Sequence, residues 1–106
     1  MEALYPLYDQ ICLDMVQRFM PDGFDTDKDA TVLNSTYEGL CAAYEETGRI
    51  CVNTDHSEGT VYGSPRINWA FRAWHDYCHI VAEAPFTIEG EIAACMLQQE
   101  QVREHW

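Results

Sequence analysis

The sequence predicts an all-α fold: a four-helix bundle-like single domain over residues 1–106, with a long loop between helices 2 and 3. Two observations carry this prediction. Apolar residues recur at helical spacing in four separate segments, and residues that start or stop helices flank those segments. A chain of 106 residues has the length of one domain with one core.

The first helix occupies the start of the chain and ends at Pro21-Asp22-Gly23. Asp9, Gln10 and Asp14 are on its polar side. The apolar positions repeat every three or four residues, as on one face of a helix. They are Leu4, Leu7, Tyr8, Ile11, Cys12, Met15, Val16 and Phe19.

The second helix is predicted from about Lys28 to Thr47, because Gly48 follows as a typical C-terminal cap. Its inward positions are Leu33, Tyr37, Leu40, Cys41 and Tyr44. Residues 49–63 then form the long loop, with room for a short hairpin between residues 50–52 and 60–62. A connection this long in a compact domain is usually functional or mobile.

The third helix begins at Ser64-Pro65, a capping hydroxyl followed by proline at the first helical position, and runs to about Glu83. Its apolar stripe is Ile67, Ala70, Phe71, Trp74, Cys78 and Val81. Thr87 caps the fourth helix after the turn at Pro85. The inward side chains predicted for the fourth helix are Ile88, Ile92, Cys95, Met96, Gln99 and Val102.

The formal net charge of −12 excludes direct binding to nucleic acid and to anionic membranes. It suits partners that are cations, metals or basic protein surfaces. The acidic residues are dispersed along the chain rather than set in phosphate-like rows, which argues against a DNA mimic.

The five cysteines are odd in number and form no CxxC pair, which is typical of free thiols in a reducing compartment. The sequence also has no long apolar run and no leader segment, so we expect a cytoplasmic location.

The chemistry of the chain centres on His75-Asp76-Tyr77-Cys78-His79. Two histidines four residues apart lie on one face of a helix, about 5–6 Å apart at Cβ. Both rings can therefore reach one metal ion. Asp76 is the candidate catalytic group, because it can orient or deprotonate a water beside the metal.

Glu91 is the candidate third ligand. The third and fourth helices are joined by a few residues, so they run antiparallel, and His79 and Glu91 lie one turn from the joined ends. Glu91 also flanks the predicted apolar stripe, with Glu89 on the far side as a less suitable ligand. His56, in the long loop, is the candidate fourth ligand.

Two imidazoles and a carboxylate suit a divalent ion, zinc first, with iron and manganese as alternatives. A structural interpretation stands beside this one. The same residues can form a polar hydrogen-bonded network that holds two helices together, because histidines four residues apart also occur on ordinary polar helix faces.

Several motifs resemble His75-Asp76-Tyr77-Cys78-His79 in part. The zinc-peptidase motif HExxH has the same histidine spacing, but here Asp76 replaces the glutamate that activates water. The His-Asp pair is similar to that of HD-domain phosphohydrolases, which need an aspartate later in the chain, and none follows Asp76. Di-iron bundles would need a second Glu-x-x-His copy.

The second half of the chain resembles a family of small uncharacterised proteins of tailed bacteriophages. The resemblance covers residues 62–65, Asn68, residues 70–76, His79, and Thr87 with residues 90–93. It implies a phage protein made in the host bacterial cytoplasm, with no established activity.

Two functional hypotheses follow. The first is a small phage-type cytoplasmic protein with a metal site formed by His75, His79 and Glu91. If this protein is an enzyme, the expected activity is metal-dependent hydrolysis. The alternative is an acidic, non-enzymatic interaction protein that binds and inhibits a host protein, DNA-mimic inhibitors included.

Overall fold

A computed structural model of the chain describes residues 6–26, 36–52 and 65–106. This part of the chain contains four helices, which confirms the predicted all-α fold. None of these four helices is both long enough and apolar enough to cross a membrane. The helices are α1 (Pro6–Phe19), α2 (Tyr37–Thr47), α3 (Pro65–Val81) and α4 (Ile88–His105).

Two short strands differ from the predicted hairpin. β1 (Asp25–Thr26) and β2 (Cys51–Val52) pair in parallel, with Asp25 opposite Cys51. Residues 51 and 52 thus form a strand as expected, but their described partner is the segment that follows α1. The proposed hairpin partner, residues 60–62, lies outside the described residues, as does most of the predicted long loop.

The second helix begins later than Lys28. Thr36 caps α2 with an extended backbone (φ −125°, ψ 155°), and its hydroxyl oxygen accepts from the Gly39 amide at 3.0 Å. Because the Thr36 backbone is not helical, α2 cannot continue from residue 28. At the other end, Gly48 has a φ of 72° and its amide donates to the Tyr44 carbonyl oxygen, as predicted for a glycine cap.

α3 is the central helix of the fold and contacts α1, α2, α4 and β2. Its Ala73, Trp74 and Cys78 are almost fully buried, together with Cys12 and Met15 of α1. Full burial of a large apolar side chain contributes roughly 1.5–3 kcal/mol. The predicted inward faces of α1 and α3 are therefore confirmed at their centres, although Leu7 and Val81 near the ends are exposed.

α4 presents a different face to the core from the one predicted. Ile88, Ile92 and Met96 are 79%, 55% and 63% exposed, Cys95 and Gln99 are exposed, and only Val102 of the predicted set is partly buried. The buried residues are small or carry a side-chain amide: Gly90, Ala94, Gln98 and Gln101.

Hydrogen bonding and close packing explain this orientation of α4. The buried Trp74 Nε1 donates to Gln101 Oε1 at 2.7 Å, and the Cys78 thiol donates to the same oxygen at 3.3 Å. A buried donor without an acceptor costs about 1–3 kcal/mol, so α3 requires acceptors from α4. At Gly90, a methyl group would overlap the carbonyl group of Pro85, so only glycine permits this approach.

Candidate metal centre

α3 and α4 run antiparallel, and three pairs of contacts mark their register. Trp74 contacts Gln101, His75 contacts Gln98, and His79 contacts Glu91. As the residue number rises along α3, the number of its partner on α4 falls. The short connection between the helices thus places His79 level with Glu91, as the sequence predicted.

The end of α3 fixes the ring of His79. The Ala84 amide donates to the His79 carbonyl oxygen at 2.9 Å, and the Glu83 amide donates to the Ile80 carbonyl oxygen at 3.2 Å. This is the Schellman pattern, with Glu83 in the left-handed region at φ 52°. The pattern turns the Ala84 carbonyl oxygen toward the His79 ring, whose Nδ1 donates to it at 2.7 Å.

Three side-chain atoms converge beside this turn. Glu91 Oε2 lies 2.8 Å from His75 Nε2 and 3.1 Å from His79 Nε2. The two Nε2 atoms are 3.1 Å apart. His75, His79 and Glu91 form the group among the described residues that could hold a metal ion. The predicted ligand trio is thus brought together.

The outer nitrogens of both rings donate to carbonyl oxygens. His75 Nδ1 donates to Gln98 Oε1 at 2.9 Å, and His79 Nδ1 donates to Ala84. A carbonyl oxygen only accepts, so each Nδ1 carries a proton, and in the neutral form of each ring the lone pair is on Nε2. Both lone pairs are therefore on the side of the rings that faces Glu91.

Aromatic rings surround the two imidazoles. Phe71 stacks on His75, with centroids 6.0 Å apart and planes at 12°. The rings of Phe86 and His79 pack edge to face, with centroids 4.9 Å apart. The His79 side chain is 1% exposed and that of His75 20%, whereas Glu91 is 50% exposed. The centre is thus closed on its imidazole side and open to solvent at the carboxylate.

The charges in the centre shift the pKa of two carboxyl groups. Burial opposes the ionisation of Glu91. When protonated on Nε2, however, His75 and His79 donate hydrogen bonds to it and carry positive charges that outweigh burial, so the pKa of Glu91 is lowered. Burial raises the pKa of Asp76 to about 6, against the opposing charges of His75, His79 and Arg72, while the Glu91 charge raises it further. The charges of His75, His79 and Glu91 therefore all act on the pKa of Asp76.

The other predicted site residues are Asp76 and His56. Asp76 lies on α3 beside the trio and is partly buried. His56, the candidate fourth ligand, lies outside the described residues. Gln98 and Ala84, which fix the two rings, were not predicted. Gln98 is two turns beyond Glu91 on the same side of α4, and that spacing is the sequence pattern that identifies it.

No protein-family model matches the chain, and no match was found among curated proteins or solved structures.

Proposed function

We propose that this protein binds one divalent metal ion, zinc in the first instance, through His75 Nε2, His79 Nε2 and Glu91 Oε2. The observation that carries the proposal is that both Nδ1 atoms donate to carbonyl oxygens. With both rings neutral, three electron-rich atoms then face one another at 2.8–3.1 Å. Their mutual repulsion calls for a cation between them.

The spacing of these atoms fits a metal shell. Zinc bonds of about 2.0–2.1 Å to nitrogen and oxygen put neighbouring ligands of a tetrahedron roughly 3.3 Å apart. The observed separations of 2.8–3.1 Å need only a few tenths of an ångström of adjustment. Hydrogen bonds from the outer ring nitrogen to Gln98 and Ala84 are of the kind that orients metal-binding histidines.

The donor set favours zinc, with iron and manganese as alternatives, because imidazole and carboxylate donors suit all three. A thiolate site is less suitable. The nearest cysteine in sequence, Cys78, donates to Gln101, and burial raises the pKa of its thiol to about 12. The thiol therefore stays protonated and is a poor ligand.

We further propose metal-dependent hydrolysis as the activity. When bound, a divalent ion would supply Lewis acidity, which can lower the pKa of a coordinated water to about 7. Two imidazoles and one carboxylate leave at least one position for that water, and the exposed side of Glu91 gives substrates access. Asp76 would orient that water or accept its proton.

Metal analysis of protein purified without a histidine tag tests the metal site. We expect one equivalent of metal in the native chain, and none in His79→Ala or Glu91→Ala. Glu89→Ala is the matched control, because Glu89 is also in the first turn of α4 and is exposed. Metal-free native protein, with the same melting temperature in the presence of a chelator, would contradict the proposal.

Hydrolysis is tested separately on the metal-loaded protein with ester and phosphodiester reporter substrates. Asp76→Asn should retain the metal and lose at least about 100-fold in kcat, the usual size of a general acid–base contribution. Glu89→Gln should keep full activity. Equal activity of Asp76→Asn and the native protein would remove Asp76 from the mechanism, and inactivity of the loaded native protein on both substrate classes would count against hydrolysis.

The exposed face of α4 favours a second candidate function, an interaction protein of the phage type that binds a host protein. Ile88, Ile92 and Met96 follow one another at four-residue spacing and are more than half exposed. With a net charge of −12, this face suits a partner whose surface combines apolar and basic residues. Capture of one partner at low salt, lost in Ile92→Asp and retained in His79→Ala, supports this function over the first.

A further inference from the structure

A cleft of about 390 Å³ lies between α1, α3 and α4, on the Gln98 side of His75. Its walls are mainly aromatic and aliphatic, and no charged residue lines it in the described part of the chain. The volume is within the range of pockets that bind small molecules. The principal lining residues are Tyr8, Ile11, Phe71, Trp74, Gln98 and Val102.

One polar group in this wall has an unused hydrogen-bonding capacity. Gln98 is 6% exposed, and its Oε1 accepts from His75 Nδ1. Its Nε2 is buried and has no hydrogen-bond partner. Buried donors in folded proteins are nearly always paired. Because Gln98 is one of the residues that line the cleft, a ligand in the cleft is a natural source of the missing acceptor.

We propose that this cleft binds a small, uncharged, planar apolar molecule with a carbonyl-type oxygen, which accepts a hydrogen bond from Gln98 Nε2. The rings of Phe71 and Trp74, whose centroids are 6.2 Å apart at 88°, offer a face and an edge to a flat ligand. The lack of charged lining residues excludes ionic ligands, since burying an unpaired charge is costly.

The cleft is distinct from the metal centre but shares two residues that contact His75, namely Phe71, which stacks on its ring, and Gln98. Gln98 binds the ligand with Nε2 and holds His75 with Oε1. A ligand that orders the Gln98 amide therefore also orders the His75 ring. Coupling between two sites is reciprocal, so metal and ligand each strengthen the binding of the other. Binding to the cleft itself does not require the metal.

Amide NMR of the full chain in chelator tests the cleft with two probes of one shape. Acetophenone carries the oxygen, and its hydrocarbon isostere α-methylstyrene does not. Acetophenone should shift the Gln98 side-chain amide and the Trp74 indole resonance, with a dissociation constant of about 1 mM for nine heavy atoms. α-Methylstyrene at equal concentration should bind roughly three- to tenfold more weakly.

Variants assign the site. Gln98→Glu keeps an acceptor for His75 but has no donor, so it should bind both probes equally weakly. Gln99→Trp at the exposed rim, and Val102→Trp within the cleft, should abolish the shifts; the rim variant leaves the core untouched. Glu100→Trp, at an exposed position on the opposite side of α4, is the control and should bind as the native chain does.

The proposal is overturned if acetophenone causes no saturable shift of Gln98 up to about 10 mM, or if Gln98→Glu still prefers acetophenone. Because all titrations contain chelator, their results do not depend on whether the metal site exists. A repeat with one equivalent of Zn²⁺ measures the coupling alone.

Discussion

His79 and Ala84 are joined by two hydrogen bonds that run in opposite directions. The Ala84 amide donates to the His79 carbonyl oxygen at 2.9 Å, and His79 Nδ1 donates to the Ala84 carbonyl oxygen at 2.7 Å. The first ends α3 and the second sets the protonated nitrogen of the ring. The turn that terminates the helix therefore also directs His79 Nε2 toward Glu91.

Gly90→Ala should disturb this turn. The added methyl group would overlap the Pro85 carbonyl group, so the 84–87 connection must move away from α4. We expect a loss of about 1–3 kcal/mol in the free energy of unfolding, with a loss of metal affinity, measured by urea denaturation and metal titration. Gly48→Ala is the control: its site is open but has φ +72°, so it should cost about 1 kcal/mol and leave metal affinity unchanged. Equal metal affinity in both variants would contradict this account.

Gln101→Leu should leave Trp74 Nε1 buried without an acceptor, because Gln101 Oε1 accepts from it at 2.7 Å. We expect a destabilisation of about 1–3 kcal/mol, measured by chemical denaturation. The matched variant Gln99→Leu lies on the exposed side of α4 and should change the stability by less than about 0.5 kcal/mol. Similar effects of the two variants would show that Gln101 does not serve Trp74.

The orientation of α4 can be tested with one polar residue at two positions. Ile92→Gln replaces a side chain that is 55% exposed, whereas Ala94→Gln inserts an amide where exposure is 0%. The first should stay within about 0.5 kcal/mol of the native stability. The second should lose about 1–3 kcal/mol through overpacking. A larger loss of stability in Ile92→Gln than in Ala94→Gln would instead support the inward apolar stripe that the sequence predicted.

Cys12 should make the fold sensitive to alkali. Burial, reinforced by the Asp9 charge, raises the pKa of its thiol from 9.0 to about 12. The unfolded thiol releases its proton above about pH 9, and the folded thiol keeps it until about pH 12, so this contribution to stability is intact below pH 9 and lost across that window. Between pH 8 and pH 10.5 the native chain should lose about 1–2 kcal/mol more than Cys12→Ala. Parallel pH profiles of the two proteins would contradict the assignment.

The parts of the site that were predictable follow from local spacing. His75 and His79 share a helix face, and the short connection fixes the level of Glu91. The predicted position of Glu91 beside the histidines is confirmed although the assumed apolar face was wrong, because Glu91 lies between the exposed stripe and the buried one. Its position beside α3 is therefore compatible with either orientation of the helix.

The parts that were missed depend on tertiary hydrogen bonds. Periodicity favoured Ile88, Ile92 and Met96 as the buried face, since it weighs apolar side chains alone. The fold instead buries Gln98 and Gln101, because Trp74, His75 and Cys78 on α3 need acceptors. The β1–β2 pair is likewise set by contacts between distant segments, which two-residue strands do not encode locally.

Nitrogen-15 NMR of the imidazoles during a Zn²⁺ titration tests the central claim most directly. The account predicts that the Nε2 resonances of His75 and His79 shift together and saturate at one equivalent of Zn²⁺. Both Nδ1 protons should remain hydrogen-bonded to the carbonyl oxygens of Gln98 and Ala84. Glu91→Gln should weaken that binding, and Glu89→Gln should not. Unchanged His75 and His79 resonances, or shifts confined to His56 and His105, would contradict the metal centre.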